Sequence, residues 1–293
     1  MQRRMSAVAG AVLSLALCGP AAAQQKIEWK QTVNTAKGLN MPKDVTADIL
    51  GIEPGDTYAE AKAKLEKLLG ESGYKLPPPM SDAQRAAAEM NGQSFEGPLR
   101  EATIRMQFPA PGGLITASYA GQMTLIRELP GATKQTIHEG IEVKMSAPSS
   151  GQQVLGIKRS ISYPTQSDQP RVSEILAGLR TKYKAEFQQV NQFTWRAQYN
   201  DGRSYLAKDP VNGCKVQYSL MGSGDVSSIN PKGECDVVIQ LEIQFGISQD
   251  HAQMATFYLS DNERTKANMG ADFAFFDSYV RGLQNTKAAP PKL

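Results

Sequence analysis

Few side chains in this sequence have the types and spacing that chemistry requires. There are two histidines, His138 and His251, and three cysteines, Cys18, Cys214 and Cys235. Zinc sites draw on His and Cys at short spacings, yet no His-x-x-x-His or Cys-x-x-Cys is present. His251 follows Asp250 in a run that reads as a solvated turn, and His138 falls in a strand-like run. A serine hydrolase needs its nucleophile held against a base. Gly-x-Ser-x-Gly is absent; the nearest strings, Gly92-Gln93-Ser94 and Gly222-Ser223-Gly224, read as loops. Ser72-Gly73-Tyr74-Lys75 matches Ser-x-x-Lys, but it follows a helix stop and no Lys-Thr-Gly comes later. Walker and dinucleotide-binding fingerprints are missing as well. No catalytic residue, metal ligand or cofactor is therefore assigned.

Carboxylates are plentiful but scattered, and a glycosidase pair can meet only in the fold. Glu139, Glu142 and the acidic residues of 236–242 read as the solvated faces of strands, and Asp272 and Asp277 as water-facing positions of a helix. Trp195, Tyr199, Tyr205 and Tyr218 are of the types enriched at binding surfaces. The alternation of Trp195 with Tyr199 reads first as the core face of one strand.

The start of the chain carries an address. Arg3 and Arg4 precede an apolar stretch of residues 7–17, too short for the roughly 20 residues of a membrane span. Pro20 breaks the run, and Ala21-Ala22-Ala23 sets small side chains before a cut. Residues 1–23 are thus expected to be a secretory signal, cleaved after Ala23. Cys18 follows Leu17 rather than the small residue that precedes a lipidated cysteine, so simple cleavage is preferred to a lipid anchor. Removing Arg3 and Arg4 from 32 basic residues leaves 30 against 29 acidic ones. Such a balance gives no electrostatic case for nucleic acid or an anionic membrane. No later apolar run approaches a transmembrane length, and the expected destination is the periplasm or the exterior.

Cleavage leaves Cys214 and Cys235, an even pair bound for an oxidising compartment, where a disulfide is expected. Geometry raises an objection. Each cysteine opens a strand-like run, 215–220 and 236–245, and a plain hairpin of the two would put the sulfurs at opposite ends. Disulfide Cα atoms must lie within about 7 Å. Either the first run does not pair regularly with the second, or the loop of residues 222–233 folds back.

Residues 24–44 are polar and read as irregular, and residues 45–52 as a short strand. Thr57 followed by Glu60 makes a capping box before Tyr58, Ala61, Leu65, Leu68 and Leu69, with Gly70 as the stop. Pro77-Pro78-Pro79 enforces a break, and Ser81-x-x-Gln84 caps an alanine-rich helix running to Met90. Strands are expected over 103–108, 114–129 with an interruption near Gly121, 137–146 and 153–163. The order then repeats. A helix opens at Asp168-Gln169-Pro170 and buries Val172, Ile175, Leu176, Leu179 and Tyr183. Strands follow over 193–199, 216–220, 236–245 and 254–259. A last helix over 262–283 carries Phe273, Phe276, Tyr279, Val280 and Leu283 on one side.

Two stretches resemble known groups. Gly51-x-x-x-Gly55-Asp56-Thr57-x-x-Glu60-Ala61 through Leu68-Leu69-Gly70 resembles the helix-start signature of envelope modules related to the outer-membrane assembly lipoprotein SmpA/BamE, with Asp56 where that family has Met. Ile157-x-Arg159-x-Ile161-x-Tyr163, Leu176-x-x-Leu179-x-x-Lys182-Tyr183 and Trp195 resemble an uncharacterised group of exported proteobacterial proteins. The inferred layout is similar to the tandem helix-plus-sheet repeats of the β-lactamase-inhibitor protein. These likenesses imply export and helix-on-sheet architecture, with no activity attached.

The expectation is an α+β fold of two tandem modules, each a helix packed on an antiparallel sheet, plus a C-terminal helix. The modules span residues 45–164 and 165–293, after the signal (1–23) and the irregular segment (24–44). The expected function is a non-enzymatic binding or assembly protein of the bacterial envelope, with a protein partner, no nucleic acid and no cofactor. The alternative is a carboxylate-dependent hydrolase of cell-wall or sugar substrates, and a third is a small apolar ligand held between helix and sheet.

Overall fold

The computed structural model describes residues 25–33, 39–71, 81–90, 93–94, 99–110, 113–132, 135–211, 214, 216, 235–246 and 248–284. The signal segment, Ser72 to Lys75, Tyr218 and the glycines around Ser223 lie outside these residues.

The helices begin where capping chemistry predicts. Helix α1 (Tyr58–Leu69) starts at Thr57, whose backbone N–H donates to Glu60 Oε2 at 2.8 Å while Thr57 Oγ1 accepts from the Glu60 N–H. Its inward stripe is Ala61, Leu65 and Leu68. Helix α2 (Asp82–Met90) has the same reciprocal bonds between Ser81 and Gln84. Helix α3 (Val172–Tyr183) buries Val172, Leu176 and Tyr183, and α4 (Asn262–Gln284) closes the described chain.

The strands are β1 (Gln25–Lys26), β2 (Gln93–Ser94), β3 (Leu99–Ala110), β4 (Gly113–Pro130), β5 (Thr136–Met145), β6 (Val154–Ser162), β7 (Gln188–Asn191), β8 (Thr194–Asn200), β9 (Arg203–Tyr205), β10 (Val237–Phe245) and β11 (Ala252–Asp261). They form one sheet in the order β2-β3-β4-β5-β6-β11-β10-β8-β7, with β9 added beside β8 and the parallel β1 beside β4. Every other pairing is antiparallel. The expected two sheets are thus a single one, because β6 and β11 pair edge to edge from Gly156↔Ser260 to Ser162↔Met254.

Three local expectations change. Residues 45–52 make no strand; Ile49 and Ile52 bridge across a tight turn in which Leu50 and Gly51 have φ of 55° and 79°. Gln25–Lys26 is a strand inside the segment read as irregular. On α4 the exposed aromatic is Phe273, at 60%, and the buried pair is Phe275 and Phe276.

Cys214 and Cys235 meet at disulfide distance, with Cα atoms 6.1 Å apart. β10, the run after Cys235, is flanked by β8 and β11 on its two sides. The run after Cys214 lies outside the described residues apart from Val216.

Two cores result. The larger lies under α1 and α3, where Leu125, Ile141, Val143, Ile157, Ile239, Leu241 and Leu259 meet the helix stripes. The smaller joins Phe275 and Phe276 of α4 to Ile27, Ile115 and Ala117, with Trp29 and Tyr119 packed against it. A bulge separates them along β4: Ala102 pairs with Gln122 and Thr103 with Ala120, so Gly121 is the extra residue. Since neighbouring strand residues face opposite ways, one inserted residue moves the odd positions to the other face. Met123 and Leu125 therefore point at α1 and α3, and Ile115 and Ala117 at α4. A Cβ at Gly121 would stand 2.2 Å from Ile104 Cδ1, so glycine suits this crowded bend.

Candidate functional site

The antiparallel registers sort the sheet into rows, and the two faces have different chemistry. One row facing the main core reads Leu99, Leu125, Ile141, Arg159, Phe257, Leu241, Trp195, Gln189. One residue along, on the opposite face, the row reads Arg100, Thr124, Glu142, Lys158, Tyr258, Gln240, Arg196, Gln188. All of these side chains are polar. At about 4.8 Å per strand this row is roughly 34 Å long.

Its members hydrogen-bond to one another and to the rows beside them, both across and along the strands. Lys158 Nζ donates to Glu142 Oε1 at 2.6 Å, and Gln122 Nε2 to Thr124 Oγ1 at 2.9 Å. Tyr258 O–H donates to Glu242 Oε2 at 3.2 Å, Gln240 Nε2 to Glu242 Oε1 at 2.7 Å, and Arg196 Nε to Gln240 Oε1 at 2.9 Å. Burial raises the Tyr258 phenol above its ordinary range, and Glu242 adds to the rise. In the next row Lys144 is half-buried; desolvation, reinforced by Lys158, holds its amine below the usual lysine range against the pull of Glu142. Small residues lie at the middle of the face. Gly140, Ser160 and Thr256 are successive partners, and nothing lies within 4 Å of where a Gly140 Cβ would be.

Glu142 and Glu242 share this face, but three strand spacings put their backbones about 14 Å apart. The carboxyl pairs of glycosidases lie about 5–9.5 Å apart. Ser248 Oγ lies 2.8 Å from His251 Nδ1, and Asp250 Oδ1 lies 3.0 Å from that same nitrogen. A triad needs the serine on one ring nitrogen and the carboxylate on the other, so this turn is no relay. Among the described residues no group of three or more His, Cys, Asp or Glu is placed to hold a metal ion. No described helix is long and apolar enough to cross a membrane. A groove of about 550 Å³ between residues 30–33 and α4 is walled by Val33, Ala271, Ala274, Phe275 and Tyr279, with Lys30 at its edge.

Of three carboxylates read as solvated, Glu139 and Asp272 are buried and Asp236 is half-buried. Glu139 is 1% exposed and accepts from both Arg127 and Arg159 beneath α1 and α3. Asp272 accepts the Ala147 N–H at 2.9 Å and the Ser149 hydroxyl at 2.6 Å, tying α4 to the β5–β6 connection. Asp236 receives Asn40 Nδ2 at 2.7 Å and the Asp201 N–H at 2.8 Å. Trp195 and Tyr199 are core, as the alternation predicts, and Tyr205 reaches Gln198 at 3.2 Å on the polar face.

The N-terminus of α4 holds a second polar cluster, closed to solvent. Arg264 Nε donates to Asp261 Oδ2 at 2.9 Å, and the Arg264 N–H to Asp261 Oδ1 at 2.8 Å. Burial outweighs these contacts and pushes the Asp261 carboxyl up to about 6. Its folded value thus exceeds the ordinary aspartate value. This group's stabilising contribution is complete below about pH 4 and is lost as pH rises through 6. Relative to Asp261→Asn, the native protein should lose on the order of 2 kcal/mol between pH 4 and 7. Urea unfolding of both proteins across that range measures the difference; parallel curves would contradict the assignment.

No protein-family model matches this chain, and no curated protein or solved structure matches it.

Proposed function

We propose that this chain is an exported binding or assembly protein of the bacterial cell envelope, and that it engages a protein partner through the polar face of its sheet. The observation that carries this reading is the row from Arg100 to Gln188, polar on every strand it crosses while the opposite row is mainly apolar. A sheet covered by helices on one face needs polar residues on the other only for solubility. Cross-linked pairs of both signs give such a face a pattern that can discriminate between partners. Three rows of about 6.8 Å each, over the roughly 19 Å from Arg100 to Tyr258 where the row is not buried, make roughly 400 Å², about half of the 800 Å² per partner of a standard interface and the scale of a transient contact. The signal-like segment of residues 1–23 and the cysteine pair support export to the periplasm or beyond. The hydrolase alternative draws no support from the placement of Glu142 and Glu242.

Repeated local geometry supports two tandem units, residues 45–164 and 165–293. The residue before α1, Thr57, bridges Gln153, just ahead of β6; the residue before α3, Arg171, bridges His251, just ahead of β11. Around the first bridge, the Val154 N–H donates to Asp56 O and the Tyr58 N–H to Gln152 O. Around the second, the Ala252 N–H donates to Pro170 O and the Val172 N–H to Asp250 O. In each unit the final strand is thereby pinned to the helix start, and the two final strands meet at the middle of the sheet.

The test is cross-linking in intact cells followed by purification of the full chain. Lys158→Glu puts like charges beside Glu142 at the centre of the face and should lower recovery of the cross-linked partner about tenfold or more, with the unfolding midpoint little changed. Undiminished recovery, or recovery of the monomer alone from native cells, would overturn the reading.

A further inference from the structure

We propose that the Cys214–Cys235 disulfide latches a strap, residues 206–211 and Cys214, over the β8 end of the polar face, and that a dithiol reductant opens it. The strap takes up the polar side chains beneath it. The Ala207 N–H donates to Gln188 Oε1 at 2.7 Å, and Gln188 Nε2 donates back to Ala207 O at 3.1 Å. Arg196 Nη1 donates to Pro210 O at 3.3 Å, and the Cys214 N–H to Gln198 Oε1 at 3.0 Å. Arg196 and Gln198 are left 6% and 1% exposed. At the middle of the same row the side chains of Glu142 and Lys158 remain 28% and 27% exposed.

Apolar burial is not what holds the strap, because its Leu206 and Val211 are 60% and 57% exposed. Its hydrogen bonds replace bonds to water at small net gain, while ordering the segment costs backbone entropy. The covalent tie to Cys235, two residues ahead of β10, adds a constraint that those bonds do not supply. Reduction breaks the one S–S bond; the dithiol is oxidised to its own disulfide, and its two protons leave Cys214 and Cys235 as thiols. The strap then keeps its polar contacts without the covalent tie, and Gln188, Arg196 and Gln198 become available to extend the row. This inference concerns the strap's position and does not rest on the identity of any partner.

Hydrogen exchange and arginine modification by a dicarbonyl reagent, read by mass spectrometry on the full chain with and without a dithiol, test it. Reduction should speed exchange of the Ala207 and Cys214 amides about tenfold and expose Arg196 to modification, while β10 and β11 keep their protection. The Cys214→Ser, Cys235→Ser double variant should behave likewise without reductant; if that variant fails to fold, the reduced native protein supplies the same readout. Unchanged exchange at Ala207 and Cys214 would show that the strap holds itself. Loss of protection throughout β8, β10 and β11 would make the bond a general staple. Either result overturns the proposal.

Discussion

Arg264→Ala should lower the free energy of unfolding by about 3–5 kcal/mol at neutral pH, among the largest effects of any single substitution in this protein. Arg264 is 2% exposed, and its guanidinium lies against the backbone of Gly55. Gly55 has φ of +91°, and a Cβ there would stand 2.9 Å from Arg264 Cζ, so this turn accepts glycine for both its conformation and its lack of a side chain. Arg264 Nη1 also reaches Gln153 Oε1 at 3.5 Å, and Asn268 Nδ2 donates to that same oxygen at 3.0 Å. One guanidinium therefore connects the start of α4, the approach to β6 and the turn before α1. Removing it empties a large buried volume and leaves Asp261 without its counter-charge. Protonation of Asp261 relieves the second cost, so the penalty should shrink below pH 6. Arg264→Met, which keeps much of the volume, should lose less than Arg264→Ala at pH 5. Denaturant unfolding at pH 5 and pH 7.5 measures both; a penalty under about 1 kcal/mol would show that the cluster holds nothing together.

Local rules made much of this architecture legible. The capping boxes at Thr57 and Ser81, the apolar stripe of α1 and the turns between strands depend on residues within a few positions of one another. The disulfide pair followed from cysteine count and compartment. Pairing of β6 with β11 was not legible, because alternating residues in a strand specify a face and not a neighbouring edge. Nor was the burial of Glu139, whose partners lie 12 and 20 residues away and reach it only through strand register. The polar face was written in the even positions Glu142, Lys144, Lys158 and Gln240, Glu242. It read as ordinary solvated strand surface until one sheet gathered those positions into rows. The interruption near Gly121 was visible, but its effect, turning one end of β4 toward α4, needed the register.

Glu139→Ala should cost about 3–5 kcal/mol and loosen α1 first. Glu139 is the acceptor for both Arg127 and Arg159, and Arg127 is 4% exposed. Arg127 Nη1 also donates to Leu68 O at 3.0 Å and to Glu71 Oε2 at 2.7 Å, so it binds a carbonyl of the last turn of α1, where helices lack internal donors. Glu71 is half-exposed and cannot replace a buried counter-charge. Without Glu139, Arg127 must either remain uncompensated or swing toward water, and the second course gives up the cap on α1. Hydrogen exchange should therefore rise in residues 65–70 before it rises in the β4–β5 ladder. Arg127→Met with Glu139→Leu removes both charges and fills the space with apolar atoms, so the double variant should recover much of the loss. A double variant no more stable than Glu139→Ala would mean that the pair stabilises through its own attraction. Recovery would instead mark the network as a device that fixes where α1 ends on the sheet, at little net gain in stability.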